Sequence, residues 1–148
     1  ALIDMKISAH IPESYISASA QRMEMYKKIS LILTTEDADD VRDEFLDRFG
    51  DMPRPVERLI SVGLTRALAT EAGIARVEAK GNTLTFTPRT LDLAVWSELF
   101  GKYAGMRFVA AGNKTIVYKF KGDAAECAAE ILSEYIKIRN QENKNDEK

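Results

Sequence analysis

The chain has 148 residues, 45% hydrophobic and 30% charged, with a net charge of −2 and one cysteine. That balance describes an ordinary globular protein with enough chain to bury its own core. It excludes an internal disulfide, since Cys127 has no second cysteine to join. It contains no apolar run near the roughly 20 residues that a membrane span needs.

In chain order, Leu2 to Ile7 alternates, with Ile3, Met5 and Ile7 on one side and Asp4 and Lys6 on the other. That period marks a half-buried strand, ended by Pro12. A first helix is predicted over about Ser19 to Leu33, with Met23, Tyr26, Ile29 and Leu33 as its apolar stripe. Thr34, followed three residues later by Asp37, resembles a capping box that opens a second helix to Phe49. Its inner side is Ala38, Val41, Phe45 and Phe49, and Gly50 stands where a left-handed C-terminal cap is expected. Pro55 falls in the first turn of a third helix, where its missing N–H costs little; Val56, Leu59, Ile60, Leu64, Ala67 and Leu68 stripe it, and Gly73 ends it.

The second half changes rhythm. Ile74–Lys80 and Thr83–Thr87 flank Gly81-Asn82, a two-residue hairpin turn. A helix over about Leu91 to Phe100 follows. Met106–Ala111 and Lys114–Phe120 then flank a second Gly-Asn pair, Gly112-Asn113, before a last helix opened by Asp123. The last stripe is Ala124, Cys127, Ala128, Ile131, Tyr135 and Ile138. The expected fold is α+β. An N-terminal strand and three-helix segment (1–73) precede two hairpin–helix units (74–139), which form a mainly antiparallel four-stranded sheet covered by helices. Residues 1–139 read as a single domain and 140–148 as a frayed polar tail.

Catalytic signatures are absent. There is no phosphate-binding loop, zinc-protease helix or nucleophile elbow. His10 alone makes no metal site. Cys127 lies on an apolar stripe, where a packed, inert thiol is expected. Trp96 shares a helix with Leu91, Val95 and Leu99, and the core claims it before a partner does. Lysine and arginine are dispersed along the chain, so no direct nucleic-acid contact is expected. No metal or cofactor is expected in this chain.

The most unusual feature is an acidic run on the second helix: Glu36, Asp37, Asp39, Asp40, Asp43, Glu44 and Asp47. At 3.6 residues per turn, Glu36, Asp40, Asp43 and Asp47 align, facing away from Val41, Phe45 and Phe49. By itself such a run is first a solvated face, its leading acids favoured by the helix dipole. The sharper reading is a docking face for a basic partner, with Glu44 on the border between the acidic and apolar sides.

A series of motifs then adds to this reading. Ala9-His10-Ile11-Pro12-Glu13-Ser14-Tyr15-Ile16 comes first, then Arg22 with Tyr26-Lys27-Lys28-Ile29. Asp47-Arg48-Phe49-Gly50 follows, with Pro53 close behind, and then Gly73-Ile74. In order and spacing the first 75 residues or so resemble the C-terminal domain of the bacterial transcription-repair coupling factor, Mfd. The resemblance implies a non-catalytic regulatory domain of a larger ATP-driven DNA translocase in the bacterial cytoplasm. The start at Ala1 fits a segment of a longer chain. The implied partner is the UvrB-like module of the same chain, whose surface for the repair protein UvrA the domain hides at rest; links to UvrA and RNA polymerase are indirect. The isolated domain is expected to be monomeric, and ATP belongs to the parent protein. The arginine-rich surface hidden in that family favours docking for Glu44 and Asp47, with Asp40 and Asp43 beside them. The alternative is a regulatory domain that senses a small ligand, suggested by the doubled hairpin–helix half. An enzyme built from scattered carboxylates ranks last, for want of a nucleophile–base pair.

Overall fold

The structure, a computed structural model, describes residues 1–109 and 114–146. The elements run β1 (Leu2–Met5), α1 (Ser19–Ser30), α2 (Thr35–Phe49), α3 (Arg54–Ala72), β2 (Ile74–Lys80), β3 (Thr83–Pro88), α4 (Leu93–Lys102), β4 (Arg107–Phe108), β5 (Ile116–Lys119) and α5 (Ala124–Asp146).

The strands form one sheet in the order β1-β2-β3-β5-β4. The four-stranded antiparallel unit expected from the second half is present, but the sheet has a fifth strand. β1 pairs parallel to β2, with Leu2 opposite Arg76 and Met5 opposite Ala79. The N-terminal strand therefore joins the sheet across the whole helical segment, which acts as its crossover. The Gly81-Asn82 turn closes the β2–β3 hairpin, and Lys80 sits opposite Thr83. The second Gly-Asn pair, Gly112-Asn113, lies outside the described residues.

Helix α3 is the centre of the packing. It touches α5, α2, α1, β1 and β2. Val56, Ile60, Leu64 and Leu68 are buried along it, and so are the smaller Ser61, Thr65, Ala69 and Ala72. The Thr65 hydroxyl lies 2.7 Å from the Ser61 carbonyl and 3.0 Å from that of Ala125, so its single proton has an acceptor in its own helix and another on α5. One apolar cluster runs from Ile11 to Ile138 through both halves of the chain. Trp96 is fully buried, between Phe86 and Tyr135 at ring distances of 5.8 and 5.2 Å.

Two expectations need correction. The buried side of α1 is Met25 and Ile29, continued by Ile32, whereas Met23 and Leu33 are 70% and 68% exposed. The helix ends at Ser30, so Leu33 falls outside its period, and the inward spacing is i, i+4, i+7 from Met25. The tail from Asn140 is not frayed at once, because α5 continues to Asp146. Residues 140–146 contain no Gly or Pro, and Gln, Glu and Lys propagate a helix well without core contact. Arg139 anchors that last stretch by donating to the Glu71 carbonyl at 2.8 Å.

The helix ends follow local chemistry. Gly73 adopts the left-handed conformation after α3, with φ 74° and ψ 29°. Gly50 differs from the left-handed cap expected of it. Its φ is 86° but its ψ is −166°, a region essentially restricted to glycine. A Cβ there would meet nothing within 4 Å, so the obstacle to substitution is the backbone alone. Gly50→Ala is therefore expected to destabilise the fold by about 1–3 kcal/mol, read as a lower urea midpoint with an unchanged denaturant slope.

Candidate functional site: an acidic face on the second helix

Helix α2 starts where the sequence chemistry places it. The Thr34 hydroxyl accepts from the Asp37 N–H at 3.0 Å, and Asp37 Oδ2 accepts from the N–H groups of Thr34 and Leu33 at 3.2 and 3.0 Å. This reciprocal cap fixes the helix rotation. Ala38, Val41 and Phe45 then turn inward, and Glu36, Asp40, Asp43 and Asp47 form an exposed outer ridge. Among the described residues, no hydrogen bond or ion pair engages those four carboxylates. Arg42, beside Asp43 on the helix, pairs with Asp39 and Glu57 instead.

Glu44 behaves differently from Asp40, Asp43 and Asp47. Its Oε2 accepts from Lys28 of α1 and, at 2.7 Å, from Arg48 one turn on. Arg48 also reaches both carboxylate oxygens of Glu24, at 3.1 and 3.2 Å, and lies over the Phe49 ring at 4.9 Å. Lys28 stands 3.5 Å from Glu24. Two acids and two bases thus clasp α1 to α2. The Lys28 ammonium, then the Arg48 guanidinium, hold the Glu44 carboxyl below its ordinary value; Arg48 chiefly does the same for Glu24. Glu44 Oε1 receives no bond among the described residues, and the side chain remains 29% exposed.

Between the two helices lies an open groove of about 260 Å³. Leu31 and Ile32 floor one side, Val41 the other, and Asp37, Asp40, Glu44 and Lys28 rim it. Leu31 is 65% exposed. The sequence pattern missed Leu31, because it lies just beyond the end of α1 and outside any helical stripe. The face therefore combines an apolar floor with an acidic rim. This suits a long cationic side chain, which can lay its stem on leucine and its charge among carboxylates.

The motif residues of the first half mostly hold this face in place. Tyr15 donates to the Gly50 carbonyl at 2.7 Å, stacks on Phe45 and meets Phe49 edge-on. The Ile11 N–H donates to the Tyr26 hydroxyl at 2.8 Å, and Arg22 donates to the Ile16 and Ser17 carbonyls. The 9–18 arm is thereby tied across α1 and the end of α2. His10 takes part through its backbone N–H, which donates to the Pro55 carbonyl at 3.2 Å.

Cys127 sits apart on α5, half-buried, its thiol pushed up to about 11 by burial first and then by Glu130 and Glu126. Such a thiol holds its proton at neutral pH and is a poor nucleophile. No group of three or more His, Cys, Asp or Glu among the described residues converges as a metal site would. No helix among them is long and apolar enough to cross a membrane.

Comparison with known proteins bears on the same region. The family model described as "TRCF domain" matches residues 5–92, which include the arm, the clasp and the whole acidic helix. The chain is 32% identical to the transcription-repair-coupling factor of Bacillus subtilis (strain 168) over 112 residues, covering 76% of this chain and 9% of that protein. It is also 32% identical to the coupling factor of Staphylococcus epidermidis (strain ATCC 12228 / FDA PCI 1200) over 100 residues, or 66% of this chain and 9% of that one. The chain thus spans about a tenth of the length of these relatives. A crystal structure of the C-terminal domain of transcription-repair coupling factor superposes with a TM-score of 0.78 at 24% identity, covering 94% of this chain and 93% of that one. The folds are alike from end to end.

The clasp predicts an acid-sensitive contact. Because the Glu44 carboxyl titrates lower folded than unfolded, its contribution is complete above the ordinary carboxylate range and is lost as pH falls through the lowered folded value. Glu44→Gln is expected to lower the urea midpoint modestly at pH 7 and to flatten the loss of stability between pH 5 and pH 3. An unaltered pH profile in the variant would show that the clasp contributes nothing to folding.

Proposed function

The chain belongs to the TRCF domain family, and from that premise we propose that it is the C-terminal regulatory domain of a transcription-repair coupling factor, acting by docking rather than by catalysis. In this reading residues 1–139 form one regulatory unit. It binds the UvrB-like module of the same parent chain, covers that module's surface for UvrA and restrains an ATP-driven DNA motor. ATP is bound by the parent, which works in the bacterial cytoplasm, and contact with UvrA and RNA polymerase is indirect.

The observation that supports this reading is the row Asp40, Asp43 and Asp47, exposed and without partners among the described residues, beside the leucine-floored groove. Carboxylates left unpaired along one ridge of a well-packed helix are available to an arginine-bearing surface. Glu44 joins them through its free Oε1, already oriented by Lys28 and Arg48. A partner arginine reaching it extends a network that is built in advance, so little side-chain freedom remains to be lost on docking.

The magnitudes suit a reversible cover. Exposed ion pairs contribute roughly 0–1 kcal/mol each. Several of them, with the apolar floor, favour a closed state by only a few kcal/mol. A competing partner can shift such an equilibrium, whereas a large apolar interface would lock it.

The test uses the full-length parent protein. Substituting Asp40, Asp43 and Asp47 by Asn leaves the Glu44 clasp and the core untouched. It is expected to raise UvrA binding and ATP hydrolysis by roughly 5- to 30-fold, the effect of weakening a closed state by about 1–2 kcal/mol. Adding Glu44→Gln should increase the release further. If both activities stay at their resting values while the protein remains folded, the acidic ridge is only a solvated face.

A further inference from the structure

A second charged surface lies far from α2 in the chain's connectivity, at the end of the sheet where β1, β2 and β5 finish. An open cleft of about 490 Å³ sits there, with Lys6, Lys80 and Arg58 on its wall beside Phe120, Gly122 and Asp123. Lys119 and Lys121 flank Phe120 on the same rim. Lys6, Lys80, Lys119 and Lys121 are all exposed, and none has an ion pair among the described residues.

The register explains how three of these lysines, Lys6, Lys80 and Lys119, come together, and Lys121 follows two residues after Lys119. Val77, Leu84, Phe86 and Ile116 are buried against the helices. By alternation, Lys80, Thr83 and Lys119 point to the opposite, outer face. Thr83 is opposite both Lys80 and Lys119, so these three lie in one row across β2, β3 and β5. Met5 is opposite Ala79, which brings Lys6 beside Lys80 and extends the row to β1. At about 4.8 Å per strand, the row spans roughly 14 Å from Lys6 to Lys119.

The surroundings add to the positive potential. Helix α5 begins at this end, and Arg58 reaches it from the second turn of α3, so two helix N-termini aim their dipoles toward the same region. The carboxylates nearby are engaged. Asp123 pairs with Arg58 at 3.0 Å and caps α5 through the Glu126 N–H. Asp4 and Glu78 share Arg76 at 3.0 and 2.8 Å, which leaves one carboxylate charge uncompensated against four free lysines.

We propose that this row is a docking surface for the phosphate backbone of duplex DNA, bound without regard to sequence. The chemistry chooses among anions. A protein partner would need an apolar anchor at the centre of the patch, and the row itself is Lys80, Thr83 and Lys119, with the exposed Leu2 and half-buried Val117 of the same face at least two residues away along the strands. A base-reading site would need aromatic or amide side chains on that face. Lysines set at strand spacing are point charges on flexible stems, suited to a linear run of phosphates. The expectation of no nucleic-acid contact rests on dispersal along the sequence, whereas strand register brings these lysines near one another in space. This surface is separate from the acidic ridge and does not depend on the docking role proposed for it.

The test is fluorescence anisotropy of the 148-residue chain with a labelled 20-base-pair duplex of arbitrary sequence, titrated from 50 to 200 mM salt. Engagement of four lysines predicts a slope of log affinity against log salt near −3.6, or about 100-fold weaker binding across that range. Lys6→Gln, Lys80→Gln, Lys119→Gln and Lys121→Gln together should abolish binding without lowering thermal stability, because all four side chains are exposed. Lys27→Gln, Lys114→Gln and Lys144→Gln together should leave binding unchanged. A slope shallower than about −1, binding retained by the fourfold variant, or equal loss in the control variant would overturn the proposal. A polyglutamate that binds as tightly as the duplex would overturn it too, and would assign the surface to acidic protein.

Discussion

Everything in this domain is arranged around a central helix that is packed on most of its sides, with Arg54, Glu57, Arg66, Thr70 and Glu71 left exposed. Helix α3 is enclosed by α5, α2, α1 and the β1–β2 edge of the sheet. A helix in that position must be apolar or small on every side that meets a neighbour, and any polar group it buries must find a partner. Small residues at Ser61, Thr65, Ala69 and Ala72 on α3, with Ala125, Ala128 and Ala129 on α5, keep bulk out of that layer, and Thr65 finds its acceptors at Ser61 and Ala125. Because α3 occupies the middle, the helical half and the sheet half share one core.

That arrangement also leaves two surfaces without a layer over them. Helices α1 and α2 lie on the far side of α3, so the outer ridge of α2 meets solvent and keeps its unpaired acids. The sheet has helices on one face only, so its other face keeps threonines and lysines. Charge is thus segregated by architecture: carboxylates on the outermost helix, free ammonium groups at the strand ends. With an overall charge of only −2, the chain carries an acidic ridge and a group of lysines on different faces. A partner of either sign approaches one face and avoids the other.

Much of this fold is legible from local chemistry. The Thr34–Asp37 cap, the Gly81-Asn82 hairpin, the α3 stop at Gly73 and the Asp123 cap of α5 each depend on residues a few positions apart. Their geometry follows from those residues alone. The α1 face was misread because Met23, Tyr26, Ile29 and Leu33 fit a helical period as well as Met25, Ile29 and Ile32 do. Only the place where the helix ends, and what α3 and α2 present to it, selects the second set. Glu44 posed the same difficulty. Its position on the border of α2 was readable, but its bond to Lys28 crosses to another helix.

The sequence by itself determined the order of elements, the helix caps, the inward side of α2 and the acidic stripe opposite it, along with the motifs that identify the family. These rest on contacts within one or two helical turns, where spacing and residue type suffice. The tertiary structure alone decided that β1 lies parallel to β2, that Glu44 is clasped while Asp40, Asp43 and Asp47 are free, and that lysines 6, 80, 119 and 121 gather at one end of the sheet. Each of those is a pairing between residues far apart in the chain. Only strand register and helix packing bring such residues together, and no local pattern encodes either.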